Sequence, residues 1–247
     1  MNTATYQGAV SASQAAAGMN AALRNSRRLL GDAELLLSAE RWASAASLAV
    51  LGLEEAGKMS VIRVLCTTTE PAALKKQWKD YHLHQAKMEG PIGFNPDGKV
   101  LTAPNDLKAA IAERTKLIKQ IDKIKQSGLY TDCYPDSFGK PYWVEPVTQV
   151  TEDAARDLVA ILSKLLSDKP DVSVREMELF HEYISPALDD LDKSKRLVRW
   201  MVAMEAEGLM SRDETENRLR RFYDGIFGEG WYDTFNQNKP SPPRVTP

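Results

Sequence analysis

Apolar residues recur with a helical period through most of the chain. Across 12–37, Ala16, Met19, Ala22, Leu23, Leu29, Leu30, Ala33, Leu36 and Leu37 alternate with Arg24, Arg27, Arg28 and Glu34, which predicts a helix. Gly18 and Gly31 weaken this pattern without breaking it. A second helix is predicted for 40–65. One of its faces carries Ala45, Ala49, Gly52 and Ala56, at spacings of four, three and four. Side chains this small let helix axes approach closely, so this face is expected at the centre of a bundle. Leu48, Leu53 and Met59 widen the apolar face.

A third helix is predicted for 72–89, with Leu74, Trp78, Tyr81, Gln85 and Met88 on one side and Gly90-Pro91 ending it. The stretch 91–100 reads as a loop. The clearest amphipathic pattern spans 105–127. There Leu107, Ala110, Ile111, Leu117, Ile118, Ile121 and Ile124 share a face, Asn105 or Asp106 can cap the start and Gly128 can end it. Residues 129–147 read as irregular. Thr151 with Glu152 and Asp153 opens a helix to about Leu166, and helices follow at 172–184, 187–207 and 212–227. No strand pattern and no internal repeat emerges, and the Pro-rich end is expected to be disordered. A helical bundle is the architecture these segments support.

The composition fits a packed domain: of 247 residues, 43% are hydrophobic and 27% charged. A formal charge of −2 supplies no global attraction to nucleic acid or acidic membrane, so any such binding needs a local basic patch. Cys66 and Cys133 make no disulfide framework and suit reduced thiols. The first residues carry no basic region followed by an apolar one, so no signal peptide is expected. No apolar stretch reaches the length of a membrane span. A cytoplasmic location is therefore expected.

Four segments carry candidate chemistry. In 46–58 (ASLAVLGLEEAGK), Glu55 lies at the margin of the buried stripe and Lys58, one turn on, can reach it. The pair reads either as an intrahelical ion pair closing the core or as part of a site. In 78–87, His84 and Lys87 lie one turn apart on the flank of the Trp78/Tyr81 face. An imidazole moves protons near neutral pH, and an ammonium holds phosphate or developing negative charge. A surface histidine among lysines is the plain alternative. His82 and His84 point apart on a helix, which disfavours a two-histidine metal site there. In 125–132, Lys125 and Tyr130 can address a phosphate or hydroxyl, or simply end a helix and pack. Arg175 and His181, six apart, can form a cation and proton-shuttle pair, a spacing that charged helices often produce. No phosphate-cradling glycine loop, paired-cysteine zinc spacing or nucleophile elbow is present.

The first three segments together, reading A-x-x-L-A-x-L-x-x-E-E-x-G-K, then H-x-x-K, then K-x-x-G-L-Y-x-D, resemble the AbiV-type abortive infection family of the HEPN superfamily over roughly residues 15–165. The resemblance implies an all-α, HEPN-like bundle that dimerises. It also implies a role in aborting phage infection by acting on RNA or the translation machinery. Many HEPN domains are metal-independent ribonucleases that pair an arginine with a histidine four to six residues later. At the matching helix end this chain has Lys125 and Tyr130 instead, and tyrosine, with a reference pKa of about 10, is a poor base at neutral pH.

These readings give an expected organisation of 1–168 as the bundle, 169–231 as a helical extension and 232–247 as a disordered tail. The expected catalytic residues are His84, Lys87, Glu55, Lys58 and Tyr130, with Lys125, Lys58 and Lys87 binding RNA. No cofactor and no metal are expected. The expected partners are a second copy, RNA or translation machinery, and a phage-encoded activator or antitoxin, with no membrane. The alternative is a non-catalytic helical module that binds a phage or ribosomal protein. A small-ligand pocket near Tyr130, Tyr134, Tyr142 and Trp143 is a third reading.

Overall fold

The computed structural model describes residues 5–88, 104–167, 169–185, 190–227, 230 and 232–234. It is nearly all helical, and its described residues divide into two compact units, 1–93 with 114–186 and 94–113 with 187–247.

In the first unit, Ser11 opens α1 (Ala12–Ser38) with a capping box: its hydroxyl accepts from Gln14 N–H, and the Gln14 side chain accepts from Ser11 N–H. A three-residue turn leads back into α2 (Trp42–Thr67), giving a helical hairpin. At this turn Glu40 takes a left-handed conformation (φ 58°), the place where helix ends favour glycine. Helix α2 is buried on nearly every side. Ala45 and Ala49 are fully covered, and Gly52 and Ala56 are buried beside them. A Cβ on Gly52 would collide with Leu162 of α6 (Glu152–Leu166). The Ser26 hydroxyl of α1 donates to Gly52 O (2.7 Å). The small-residue stripe is thus the meeting line of α1, α2 and α6, as its spacing implied.

Helix α7 (Val174–Ile184) closes the other end of α2. His181 Nδ1 lies 2.9 Å from Cys66 O, and Ser185 Oγ donates to Thr67 O (3.2 Å). Both carbonyls belong to the last turn of α2, beyond the reach of the helix's own N–H groups. Arg63 pairs with Glu176 (2.5 Å) and lies over the Phe180 ring. Asn20 of α1 clasps Val172 by both its N–H and its C=O. This docking places α7 in the first unit.

Two expectations need correction. The helix expected over 72–89 is broken at Leu83 into α3 (Pro71–His82) and α4 (His84–Met88). Residues 129–147, read as irregular, contain a two-stranded antiparallel ribbon, β1 (Asp132–Pro135) with β2 (Pro141–Val144), followed by a 3-10 turn (Pro146–Thr148). Its strands have four residues each and include two prolines, too short and too proline-rich for an alternating pattern to stand out.

Helix α5 (Pro104–Leu129) ends in the first unit. Gly128 lies within its last turn, and a Cβ there would meet the Ser47 hydroxyl and lie 2.7 Å from Ala43 O. Gly128 therefore lets α5 touch the backbone of α2. The second unit contains α8 (Asp190–Ala206), whose Trp200, Met201 and Met204 are buried, and α9 (Arg212–Phe227). Tyr232 is buried and stacks on Tyr223 (centroids 6.0 Å apart), and its N–H donates to Asp224 Oδ1 (2.9 Å). Residues 235–247, and the expected loop at 91–100, lie outside the described residues. No described helix is long and apolar enough to cross a membrane.

Two substitutions test this packing by chemical denaturation. Glu40→Gly removes the strain of a left-handed glutamate and raises stability by about 1 kcal/mol. Gly128→Ala pushes a methyl against the α2 backbone, which cannot yield, and lowers stability by about 1–3 kcal/mol.

Candidate active site

The all-round burial of α2 takes one carboxylate inside with it. The Glu54 side chain is only 4% exposed. A carboxylate so placed is stable only when cations and hydrogen-bond donors surround it. Glu54 Oε1 accepts from Lys125 Nζ (2.6 Å), and Oε2 lies 2.6 Å from His84 Nδ1 and 4.0 Å from Lys87 Nζ. Lys125 Nζ also pairs with Asp122 Oδ1 (2.7 Å).

Local structure explains how these groups arrive. The close approach at Gly128 brings α5 onto α2, where the Ser47 hydroxyl donates to Ala43 O (2.9 Å) and faces Lys125 O (3.3 Å). Lys125 then points along α2 toward Glu54. His84 arrives through the break at Leu83, whose backbone is extended (φ −79°, ψ 127°). In a continuous helix His84 and Lys87 would flank the Trp78/Tyr81 face, as expected from the sequence. The break separates the two faces. Trp78 and Tyr81 stay with α3, where Trp78 Nε1 donates to Gly8 O (2.9 Å) and Tyr6 and Tyr81 meet its ring edge-on. His84 and Lys87 turn instead to Glu54.

Glu55 and Lys58 form the expected intrahelical pair at the rim, each about one-fifth exposed. Lys58 Nζ lies 5.3 Å from the centre of the Tyr81 ring, a cation–π contact that ties α3 to α2. Burial holds the Lys87 ammonium below the usual lysine range. The fields of Glu54 and Glu55 push it back up, while Lys58 and Lys125 oppose them. Burial acts the same way on Lys125, but hydrogen bonds to Asp122 and Glu54, with the fields of both, outweigh it and raise its pKa.

The structure thus brings His84, Lys87 and Lys125 onto one carboxylate, with the Glu55–Lys58 pair close enough to act on Lys87. The hub is Glu54, which sequence reasoning passed over for its neighbour. Glu55 had a visible local partner in Lys58, whereas the partners of Glu54 lie 30 and 71 residues away. Lys125 is buried on two carboxylates. Tyr130 is 63% exposed, and among the described residues no side-chain bond joins it to Glu54 or His84. Arg175 pairs with Glu178 on the surface, and His181 Nδ1 lies against Cys66 O at the end of α2. Among the described residues, no three of His, Cys, Asp and Glu converge as a metal ligand set.

A family model described as AbiV, of the HEPN group, matches residues 14–167, more than half of the chain. The match includes every residue of the Glu54 cluster. No solved structure matches the chain.

Equilibrium unfolding separates hub from rim. Glu54→Gln takes the carboxylate from the buried Lys87 ammonium and leaves Lys125 with Asp122 alone, lowering stability by about 3–5 kcal/mol, whereas Glu55→Gln costs less than about 1 kcal/mol. Lys87 supplies a pH signature. Its folded pKa is depressed, so between that value and the ordinary lysine value of about 10.4 the unfolded chain binds the extra proton. Stability from this group rises with pH through that window and is lost as pH falls through the folded pKa. Lys125 acts in the opposite sense, and only above the ordinary value. Lys87→Met abolishes the rise, as measured by denaturation between neutral pH and about 10.

Proposed function

Since the chain belongs to the AbiV family of HEPN proteins, we propose that it acts in abortive infection as a metal-independent endoribonuclease centred on His84. One observation carries this reading: an exposed imidazole is held through Nδ1 by a buried carboxylate. The His84 side chain is 56% exposed while Glu54 is 4% exposed. A carboxylate accepting at Nδ1 fixes the neutral ring with its proton there, so the lone pair is on Nε2, the nitrogen free to act as a base.

Cleavage follows from that arrangement. His84 Nε2 takes the proton of a ribose 2′-hydroxyl, and the 2′-oxygen attacks the adjacent phosphorus. The bond from phosphorus to the 5′-oxygen breaks, and that oxygen takes a proton from solvent. The products are a 2′,3′-cyclic phosphate and a 5′-hydroxyl. Lys58 and Lys87 bind the phosphate and offset charge developing on its oxygens. Glu55 orients Lys58, and Lys125 holds Glu54 in place. Tyr130, exposed at the end of α5, contacts substrate or the partner subunit of a homodimer. RNA of the translation apparatus is the substrate.

The second reading is a non-catalytic module that binds a phage or ribosomal protein. The burial of Lys87 and Lys125 favours it, because ion pairs that brace a fold are buried in the same way.

Total RNA incubated with the purified chain in EDTA separates the two. Cleavage to cyclic-phosphate ends is expected, with His84→Ala lowering the rate roughly 10²–10⁴-fold at unchanged helical content. Intact RNA with the wild-type chain, or full activity in His84→Ala, removes the nuclease reading.

A further inference from the structure

An in-line displacement at phosphorus places the attacking 2′-oxygen and the departing 5′-oxygen on opposite sides of the phosphate. His84 can serve only one of those sides. Its Nδ1 lies 2.6 Å from Glu54 Oε2, so Nε2 is its open nitrogen, and Nε2 holds the 2′-proton while the bond to the 5′-oxygen breaks. An alkoxide is a poor leaving group. A second side chain that gives it a proton as it departs lowers the barrier.

Three ammoniums belong to the cluster, and their contacts distinguish them. Lys125 is 3% exposed and commits its protons to Glu54 Oε1 (2.6 Å) and Asp122 Oδ1 (2.7 Å). Lys58 is paired with Glu55 and lies over the Tyr81 ring. Lys87 alone has no acceptor at hydrogen-bond distance among the described residues. Glu54 Oε2, the oxygen that also holds His84, is 4.0 Å from its Nζ, and the Lys87 side chain is only 9% exposed. A buried ammonium with unused N–H groups costs stability, a cost that an apolar side chain of the same length would not carry. One carboxylate oxygen is thus flanked by an imidazole with an open lone pair and by an ammonium with uncommitted protons. Burial loosens the hold of Lys87 on its proton. The Glu54 and Glu55 carboxylates tighten it, and the Lys58 and Lys125 ammoniums loosen it. An amine drawn toward neutral pH in this way is a better proton donor than an ordinary lysine.

We propose that Lys87 is the general acid of the cleavage in which His84 is the base, an inference that rests on the nuclease reading. As the bond from phosphorus to the 5′-oxygen breaks, its electron pair goes to that oxygen, which takes a proton from Lys87 Nζ in place of one from solvent. Lys87 is left as a neutral amine and regains a proton from water. His84 releases the 2′-proton to water, so both groups return to their starting states.

The test compares two leaving groups in EDTA. One substrate is an RNA oligonucleotide containing a linkage that the wild-type chain cuts. The other has sulfur in place of the departing 5′-oxygen at that linkage. A thiolate is a far weaker base than an alkoxide and departs without a proton donor. In single-turnover reactions Lys87→Met slows the oxygen linkage roughly 10²–10⁴-fold, and slows the sulfur linkage at least about tenfold less, because only a phosphate contact is missing there. Lys87→Arg keeps the charge but gives up no proton near neutral pH, so it behaves like Lys87→Met. His84→Ala slows both linkages. Rapid cutting of the sulfur linkage by the Lys87 variants also shows that they are folded. Equal losses on the two linkages, full rescue by Lys87→Arg, or full activity of Lys87→Met on the oxygen linkage overturns the acid role and leaves the nuclease reading standing. A wild-type chain that cuts neither linkage removes that reading and this inference together.

Discussion

A carboxylate buried in the middle of a helix constrains everything around it. Glu54 is on the most enclosed element of the first unit and reaches water only through a few per cent of its surface. Left alone it would carry a desolvation penalty of several kcal/mol. Two other elements therefore converge on it: α5 delivers Lys125, and the segment after α3 delivers His84 and Lys87. Each delivery has a visible structural consequence. The approach of α5 requires Gly128 against Ala43, and the approach of His84 requires the helix to break at Leu83. An apolar cluster of the same volume would often be as stable or more so. What apolar groups could not do is hold Nδ1 of an exposed imidazole.

Helix α7 shows a second constraint of the same kind. Central helices must end somewhere, and the last carbonyls of a helix lie past its final backbone N–H. His181 and Ser185 meet two of them from a helix more than a hundred residues later. That explains why the compact unit runs past the stretch matched by the AbiV family and takes in α7. It also gives His181 a structural occupation, so its spacing from Arg175 needs no catalytic explanation.

What the sequence made legible follows from how local each cause is. The boundaries of α1, α6 and α9 came through because caps and apolar periods act within a turn or two. The Ala45, Ala49, Gly52, Ala56 stripe announced close packing because small size is itself the message. Leu83 was illegible: nothing in Tyr81-His-Leu-His84 breaks a helix, and the break answers to a carboxylate 30 residues earlier. Glu54 was hidden for the same reason, with Glu55 beside it offering a partner in plain view. The ribbon escaped because its four-residue strands alternate rings and prolines rather than apolar and polar positions. Tyr232 escaped because its partner, the Tyr223 ring, is reached through folding and not through pattern.

The charges of the cluster also decide how it can meet an anion. Lys58, Lys87 and Lys125 face Glu54, Glu55 and Asp122, so the formal sum is zero. By count alone a phosphate gains nothing there. Depth changes the outcome, because the strength of a charge at a surface depends on what lies in front of it. Glu54 and Lys125 are sealed in and largely cancel one another, while His84 is the most open member, Asp122 the next, and Lys58 and Glu55 follow together. A phosphate arriving from solvent therefore meets the His84 imidazole first, with the Glu54 carboxylate behind it. The chain's net charge of −2 is compatible with anion binding for this reason: the balance that matters is set by burial within one cluster and not by the total.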